Sequence, residues 1–201
     1  MTGDDLPATV WGQSDMSRGA PDRRRLAASF DLMAAVLNGT TLPSLLKLVT
    51  ERARSMAGVP LAFIALPAEE AHTLRIDVAV GVGSDRIRGL TVRRGRSMLG
   101  RAFTSRRALS ARIVNDQTLS TLPAGPILIL PLDNGEATQG VLALLGRPDE
   151  EPFSPAAARQ LLLFADTAAH LVQLSEDRRT TAPEDSACAR ITALRPPPTR
   201  I

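Results

Sequence analysis

The chain has 201 residues and a net charge of +3, and 44% of its residues are hydrophobic, 22% charged and 3% aromatic. These values are typical of one globular domain of roughly 150 residues with an aliphatic core and short tails. No apolar run reaches the roughly 18 residues that a membrane span needs, and the N-terminal sequence lacks the pattern of a signal peptide. We therefore expect a cytoplasmic protein with no membrane partner.

Cysteine and lysine are both nearly absent. The single cysteine, Cys188, has no second cysteine in the chain with which to form a disulfide or a cysteine metal site. Lys47 is the single lysine, so arginine supplies almost all of the positive charge, and its guanidinium suits bidentate contacts with anions. A net charge of +3 is too small to indicate nucleic-acid binding by itself.

Three regions follow from the distribution of apolar residues along the chain. Residues 1–21 mix Gly, Pro, Ser and Asp without an apolar period, which predicts a disordered leader. A single domain is expected over 22–179. Residues 180–201 are polar and rich in proline, which predicts a disordered tail.

Two helices are predicted at the start of the domain. The first covers 22–38, where apolar residues recur at spacings of four, three and four; they are Leu26, Phe30, Met33 and Leu37. The second follows Pro43 and ends at Gly58, a residue suited to a left-handed C-terminal cap. Its apolar face comprises Leu42, Leu45, Leu46, Val49, Ala53 and Met56.

The remaining elements are strands, with one short and one long helix. Ser97 is suited to cap the short helix, and Ser154 with Pro155 begins the long one. Asn134-Gly135 predicts a hairpin turn between the last two strands. This order favours an α+β fold with a mostly antiparallel sheet. The predicted strands cover 59–67, 73–80, a short piece around 90–92, 109–114, 126–132 and 139–145.

Several short segments, together with this order of elements, resemble a GAF domain. The resemblance extends over 22–179 and is greatest to the second of the tandem GAF domains in actinobacterial oxygen- and redox-sensing two-component histidine kinases. It implies a central six-stranded antiparallel sheet, with the first and last helices packed on one face and a ligand pocket on the other. The segments that carry it are 45–58, 62–67, 90–103, 113–116, 129–132, 140–144 and 153–155.

The resemblance implies a sensory or regulatory domain in signal transduction that binds a small ligand or relays the state of a partner, such as a histidine kinase. The alternative is a protein–protein interaction module without a ligand. Too few residues follow 179 to form the phosphoacceptor helix and ATP-binding domain of such kinases. A stand-alone sensor and the remnant of a shortened kinase therefore both remain open.

The candidate ligand site comes from a run of nine arginines between 86 and 112 that contains no acidic residue. In a GAF fold this segment borders the pocket, so the arginines and the N-terminus of the short helix are expected to hold a small anion. The alternatives are a solvated basic face, an acidic protein partner and nucleic acid. Nucleic acid is disfavoured because Phe103 is the one aromatic residue of the run on which a base could stack. The candidate residues are Arg94, Arg96, Ser97, Arg101 and Arg112.

We expect no cofactor, no metal and no catalysis. His72, in a loop, and His170, in the last helix near its core edge, are interpreted as structural residues rather than haem ligands. Cys188 lies outside the domain, so it does not fit bilin attachment or sulfoxide reduction. Cyclic-nucleotide GAF domains carry a longer signature than the Asn115-Asp116 found here. No phosphate-binding loop, zinc spacing or plausible Ser-His-Asp set is present in the sequence.

We expect the chain to form a homodimer, because GAF proteins commonly dimerise through their first and last helices. The helices at 22–38 and 155–176 are expected to lie together on one face of the sheet. Most of their apolar residues are assigned to the core. A surplus apolar edge around Leu32, Val36, Leu161 or Leu171 is expected to pair two chains.

Overall fold

The computed structural model describes residues 14–113, 122 and 124–181, and side chains within these ranges from 22 to 180. The first part of the expected leader, most of the loop at 115–125, Cys188 and nearly all of the expected tail lie outside the described residues. The elements in chain order are α1 (Ser14–Leu37), α2 (Leu42–Ala57), β1 (Leu61–Pro67), β2 (Thr73–Gly81), α3 (Ser84–Ile87), β3 (Thr91–Arg93), α4 (Met98–Ser105), β4 (Leu109–Ile113), β5 (Gly125–Asp133), β6 (Thr138–Leu145) and α5 (Pro155–Thr181).

The six strands form one antiparallel sheet in the order β3-β2-β1-β6-β5-β4. At its centre, Ile64 of β1 lies opposite Val78 of β2 on one side and Leu142 of β6 on the other. The turn between β5 and β6 is the predicted hairpin, with Gly135 at a φ of +92°. The predicted α+β fold with a six-stranded antiparallel sheet is confirmed.

Helices α1, α2 and α5 pack on one face of the sheet and enclose the larger of two cores. Phe164 of α5 is fully buried there with Leu32 of α1 and Leu128 of β5. Polar contacts join the first and last helices: the Arg25 Nε donates to the Gln160 Oε1 at 2.8 Å, and the Arg178 side chain donates to the Val36 carbonyl at 3.1 Å. The predicted placement of the terminal helices on one face is therefore confirmed.

The opposite face of the sheet carries α3 and α4 over a second, smaller aliphatic core. Phe63 of β1 lies at its centre, with Ile127 of β5 and Leu99 of α4. Phe63 and Ile64 are adjacent in the chain and point to opposite cores because side chains alternate along a strand. One strand thus supplies both cores.

The predicted apolar stripe of α1 does not face the core. Its four residues are exposed: Leu26 by 47%, Phe30 by 64%, Met33 by 44% and Leu37 by 69%. Ala28, Leu32 and Val36 are buried instead. Both sets have helical spacing, and the inner one contains smaller residues, which allow α1 to approach α5 closely.

The predicted dimer edge therefore changes. Leu32, Val36 and Leu161 are at most 3% exposed and belong to the core of a single chain, so they are not available for pairing. Leu171 is partly buried against the same core. The surplus apolar surface lies on the outer face of α1, opposite the edge that the sequence indicated.

One boundary and one short helix also differ from the prediction. Helix α1 begins at Ser14, within the predicted leader of 1–21, although Gly19 and Pro21 disfavour a helix by propensity. The prediction placed the start where the apolar period begins, whereas a helix once nucleated extends without apolar contacts. The four-residue helix α3 was not predicted because it is too short to show a period.

Candidate functional site

A cleft of about 480 Å³ lies at the end of the sheet where β3 ends and β6 begins. Four segments meet there: the β1–β2 loop, the β3–α4 loop, the end of α4 and the start of β6. The residues that line it are His72, Arg94, Gly95, Phe103, Thr104, Arg106, Ala137 and Thr138.

Arg94 is held in this cleft by its backbone and by an aromatic ring. Its amide donates to the carbonyl of His72 at 2.8 Å, which ties the β3–α4 loop to the start of β2. Its guanidinium carbon lies 4.5 Å from the centroid of the Phe103 ring, a cation–π contact. The Arg94 Nε is buried and has no hydrogen-bond partner in the described part of the chain.

Thr138, at the first position of β6, contributes a second unsatisfied group to the same cleft. Its Oγ1 is buried and makes no hydrogen bond with any described residue. A buried polar group without a partner costs about 1–3 kcal/mol, so each of these two atoms would be stabilised by a ligand that supplied a hydrogen-bond partner. The sequence offered no signal for Thr138, which directly follows the hairpin turn.

Arg106 lies at the end of α4, and its charge is already balanced. Its guanidinium donates to the carbonyls of Gly135 at 3.3 Å and Glu136 at 3.0 Å, and its Nε lies 3.7 Å from the Asp133 Oδ2. These contacts bind the β5–β6 hairpin to α4. Arg106 therefore shapes the wall of the cleft, while Arg94 remains without an acidic partner among the described residues.

The backbone is strained at two positions of the cleft wall. His72 and Arg106 have φ values of 62° and 55°, and they are the non-glycine residues with positive φ in the described part of the chain. The left-handed conformation costs such residues about 1–2 kcal/mol, and strain of this kind is concentrated at functional sites. Arg106 is the left-handed C-cap of α4, a conformation common at helix ends, so the strained position that helix termination does not explain is His72.

A second, smaller cleft of about 350 Å³ adjoins the first and shares His72 and Gly95 with it. Arg96 lines this neighbour together with Arg93 and Glu70. Arg94 and Arg96, which the sequence pattern groups in one site, thus line two adjacent clefts.

Ser97 caps α4, as expected, and its hydroxyl is fully used. Its Oγ accepts from the Gly100 amide at 3.0 Å and donates to the Arg93 carbonyl at 2.9 Å, and the residue is 3% exposed. A Cβ built on Gly100 would overlap the backbone of Arg94. The preceding chain therefore covers the N-terminus of α4, which is not open to an anion.

The other two candidate residues lie away from both clefts. Arg101 is exposed on α4 and lines neither of them. Arg112, on the edge strand β4, donates to the carbonyls of Pro148 at 2.7 Å and Glu150 at 2.6 Å. Arg112 thus fastens the β6–α5 connection, and the nine arginines do not form one ligand site.

His170 is solvent-exposed on α5, not near the core edge as expected, and its Nδ1 lies 2.7 Å from the Asp166 carbonyl. Burial raises the pKa of the Asp166 carboxyl, and the nearby charge of Asp133 raises it further, against the opposing effect of His170.

Among the described residues, no group of three or more His, Cys, Asp or Glu side chains is placed to hold a metal ion. No described helix combines the length and apolar character needed to cross a bilayer.

Solved structures with this fold include two GAF domains and a fragment of a methyl-accepting chemotaxis protein. The GAF-B domain of DevS from Mycobacterium smegmatis is 24% identical with a TM-score of 0.64, and the match covers 70% of this chain and 98% of that domain. The GAF domain of an Acinetobacter phosphoenolpyruvate-protein phosphotransferase is 12% identical with a TM-score of 0.62, covering 78% and 97%. Residues 122–287 of a methyl-accepting chemotaxis protein are 17% identical with a TM-score of 0.60, covering 77% and 99%.

The family assignment rests on sequence as well as on fold. The model of the GAF domain family matches residues 39–173, which is more than half of the chain. The matched segment begins just after α1 and ends within α5, so it contains the whole sheet and the cleft beside Arg94. The chain belongs to the GAF domain family.

Proposed function

We propose that this chain is a cytoplasmic, non-catalytic sensory module of signal transduction that works as a homodimer and binds a small anionic ligand. GAF domains are generally regulatory rather than catalytic, and structures similar to this one come from a methyl-accepting chemotaxis protein and a phosphoenolpyruvate-protein phosphotransferase. The exposed apolar stripe of α1 carries the proposal, because it gives the domain a surface through which a signal can pass to another chain.

The spacing of this stripe favours a second copy as its partner. Leu26, Phe30, Met33 and Leu37 follow the four-three-four pattern of the a and d positions of a coiled coil. An identical stripe on a second chain has the same pattern, and two-fold symmetry would bring the two together as one isologous interface. The stripe would be about 16 Å long at the helical rise per residue.

Helix α5 adds apolar surface of its own. Leu163 and Leu174 are 41% and 44% exposed and lie three turns apart on one face of the helix. Since α5 packs directly against α1, both helices contribute exposed apolar residues to the helical side of the molecule. A change in the position of α5 would therefore alter the surface available for pairing.

The alternative function is a protein–protein interaction module without a ligand. The stripe on α1 supports this reading equally well, and a helix of a signalling protein such as a histidine kinase could take the place of the second copy. Only a bound ligand separates the two functions, and the cleft beside Arg94 favours ligand binding.

Light scattering of the full chain at micromolar concentration, comparing the wild type with Phe30→Glu, tests the homodimer. We expect a dimer mass for the wild type and a monomer mass for the variant, since the substitution places a charge in the centre of the interface without touching the core. The matched control is Val82→Glu, in the β2–α3 turn, where the native side chain is 74% exposed. A monomeric wild type, or a dimeric Phe30→Glu variant, contradicts the pairing.

A further inference from the structure

The cleft beside Arg94 lacks acceptors and donors for two of its own polar atoms. The Arg94 Nε is a donor, and the Thr138 Oγ1 can both donate and accept. Both atoms are buried and have no partner among the described residues. A ligand that offered oxygen atoms to both would remove the cost that each incurs by leaving water.

The charge of the cleft limits the charge of its ligand. Arg106 is balanced by Asp133 and by the carbonyls of Gly135 and Glu136, so Arg94 supplies the one uncompensated guanidinium among the residues that line the cleft. A ligand with one negative charge matches it. A polyphosphate would bring several further charges, whereas the other guanidinium of the cleft, that of Arg106, is already paired.

The guanidinium of Arg94 selects the chemistry of the anion. The Phe103 ring lies 4.5 Å from the guanidinium carbon and offers no oxygen acceptor, so the buried Nε–H still needs one. A carboxylate is planar and accepts from a guanidinium through two oxygen atoms. The Phe103 ring and Ala137 supply apolar surface beside it, and the volume of about 480 Å³ is in the usual range of small-molecule pockets, about 300–1,000 Å³.

We infer that this cleft binds a small monocarboxylate, with its carboxylate on Arg94 and Thr138 and its short apolar part against Phe103 and Ala137. The inference rests on the proposed sensory function and assigns that function a site and a ligand class. It replaces the wider set of arginines with one cation, one hydroxyl and one aromatic ring.

The probe for this site is sodium propionate, titrated into the isotopically labelled full chain at an ionic strength held constant with sodium chloride. We expect saturable shifts of the Arg94 Nε–H signal and of the Gly95 and Thr138 amides in nitrogen–proton spectra. Arg94→Gln should weaken binding at least tenfold. Arg94→Lys, which keeps the charge but loses the planar edge, should also weaken it, and so should Thr138→Val. The matched control is Arg101→Gln, an exposed arginine of α4 outside the cleft.

Three results would overturn the inference: no saturable shift with propionate, binding that Arg94→Gln and Arg94→Lys leave unchanged, or inorganic phosphate binding as tightly as propionate. If Arg94→Gln does not fold, Arg94→Lys and Thr138→Val decide the outcome. Light scattering on the same samples separates this inference from the proposed dimer. A failed titration of a dimeric protein removes the site alone, whereas saturable binding to a monomer removes the pairing alone.

Discussion

At the level of single residues, Arg94 differs from its eight neighbours in the arginine run only through what surrounds it. Phe103 belongs to α4, the helix that follows the β3–α4 loop, and Thr138 is the first residue of β6, after the β5–β6 turn. His72, whose carbonyl holds the Arg94 amide, comes from a third segment. No spacing in the sequence brings these residues together, so the candidate site could be narrowed only in three dimensions.

Gly100 shows the same dependence on neighbours for stability. Alanine normally stabilises a helix by about 1 kcal/mol relative to glycine, but here the added Cβ would overlap the backbone of Arg94. We expect Gly100→Ala to lower the free energy of unfolding by about 1–3 kcal/mol, because the first turn of α4 must move away from the β3–α4 loop.

Urea unfolding followed by circular dichroism measures this effect. Gly95→Ala is the control, since a Cβ at Gly95 has no heavy atom within 4 Å outside its chain neighbours, and its effect should stay within about 0.5 kcal/mol. A stabilising Gly100→Ala substitution would show that the close approach of the two segments is wrong.

At the level of elements, α1 illustrates the limit of helical periodicity. Two sets of residues on roughly opposite sides of the helix both have helical spacing, and the larger side chains are on the outer side. Hydrophobicity alone favours burial of Phe30, yet Ala28 occupies the inner face. Close packing of α1 against α5, which presents Ala165, Ala168 and Ala169 to the core, favours the smaller set.

Alanine substitution at two neighbouring positions tests which face of α1 is buried. Leu32→Ala should lower the free energy of unfolding by about 2–5 kcal/mol, since the side chain is fully buried. Met33→Ala should change it by less than about 0.5 kcal/mol, since that side chain is 44% exposed. Denaturant melts in the Phe30→Glu background measure both without a contribution from pairing. A larger loss of free energy of unfolding for Met33→Ala than for Leu32→Ala would mean that the face of α1 indicated by the sequence is the buried one.

At the level of the whole molecule, one sheet separates two cores. Ile64 of β1 belongs to the core under the terminal helices, and Ile127 of β5 belongs to the core under α4. Strand β6 lies between the two strands, so each core depends on the same backbone ladder. The two cores are therefore expected to unfold together.

Ile64→Val and Ile127→Val test this cooperativity. Each should lower the free energy of unfolding by about 0.5–1.5 kcal/mol, and the double variant should show the sum within about 0.5 kcal/mol, because the residues share no packing partners. Calorimetry should give a single transition for all three proteins. Two transitions in either single variant would mean that the faces unfold independently.

The β5–β6 hairpin connects the cleft with the helical face. On one side, the carbonyls of Gly135 and Glu136 accept hydrogen bonds from the Arg106 guanidinium. On the other side, the Gln139 Nε2 donates to the Gln173 Oε1 of α5 at 2.6 Å. The Asn134 Nδ2 reaches the same oxygen of α5 at 3.4 Å. A contiguous set of polar contacts thus runs from α4 through the hairpin to the helix that packs against α1.

The sequence alone determined the order of the elements other than α3, the caps at Ser97 and Gly58, the hairpin at Asn134-Gly135 and the α+β class, because periodicity, caps and turns are set by residues close together in the chain. The tertiary structure decided which face of α1 is buried and which arginine lines the cleft without an acidic partner among the described residues. Both depend on packing and charge contributed by segments far apart in sequence, such as α5 against α1 and Thr138 beside Arg94.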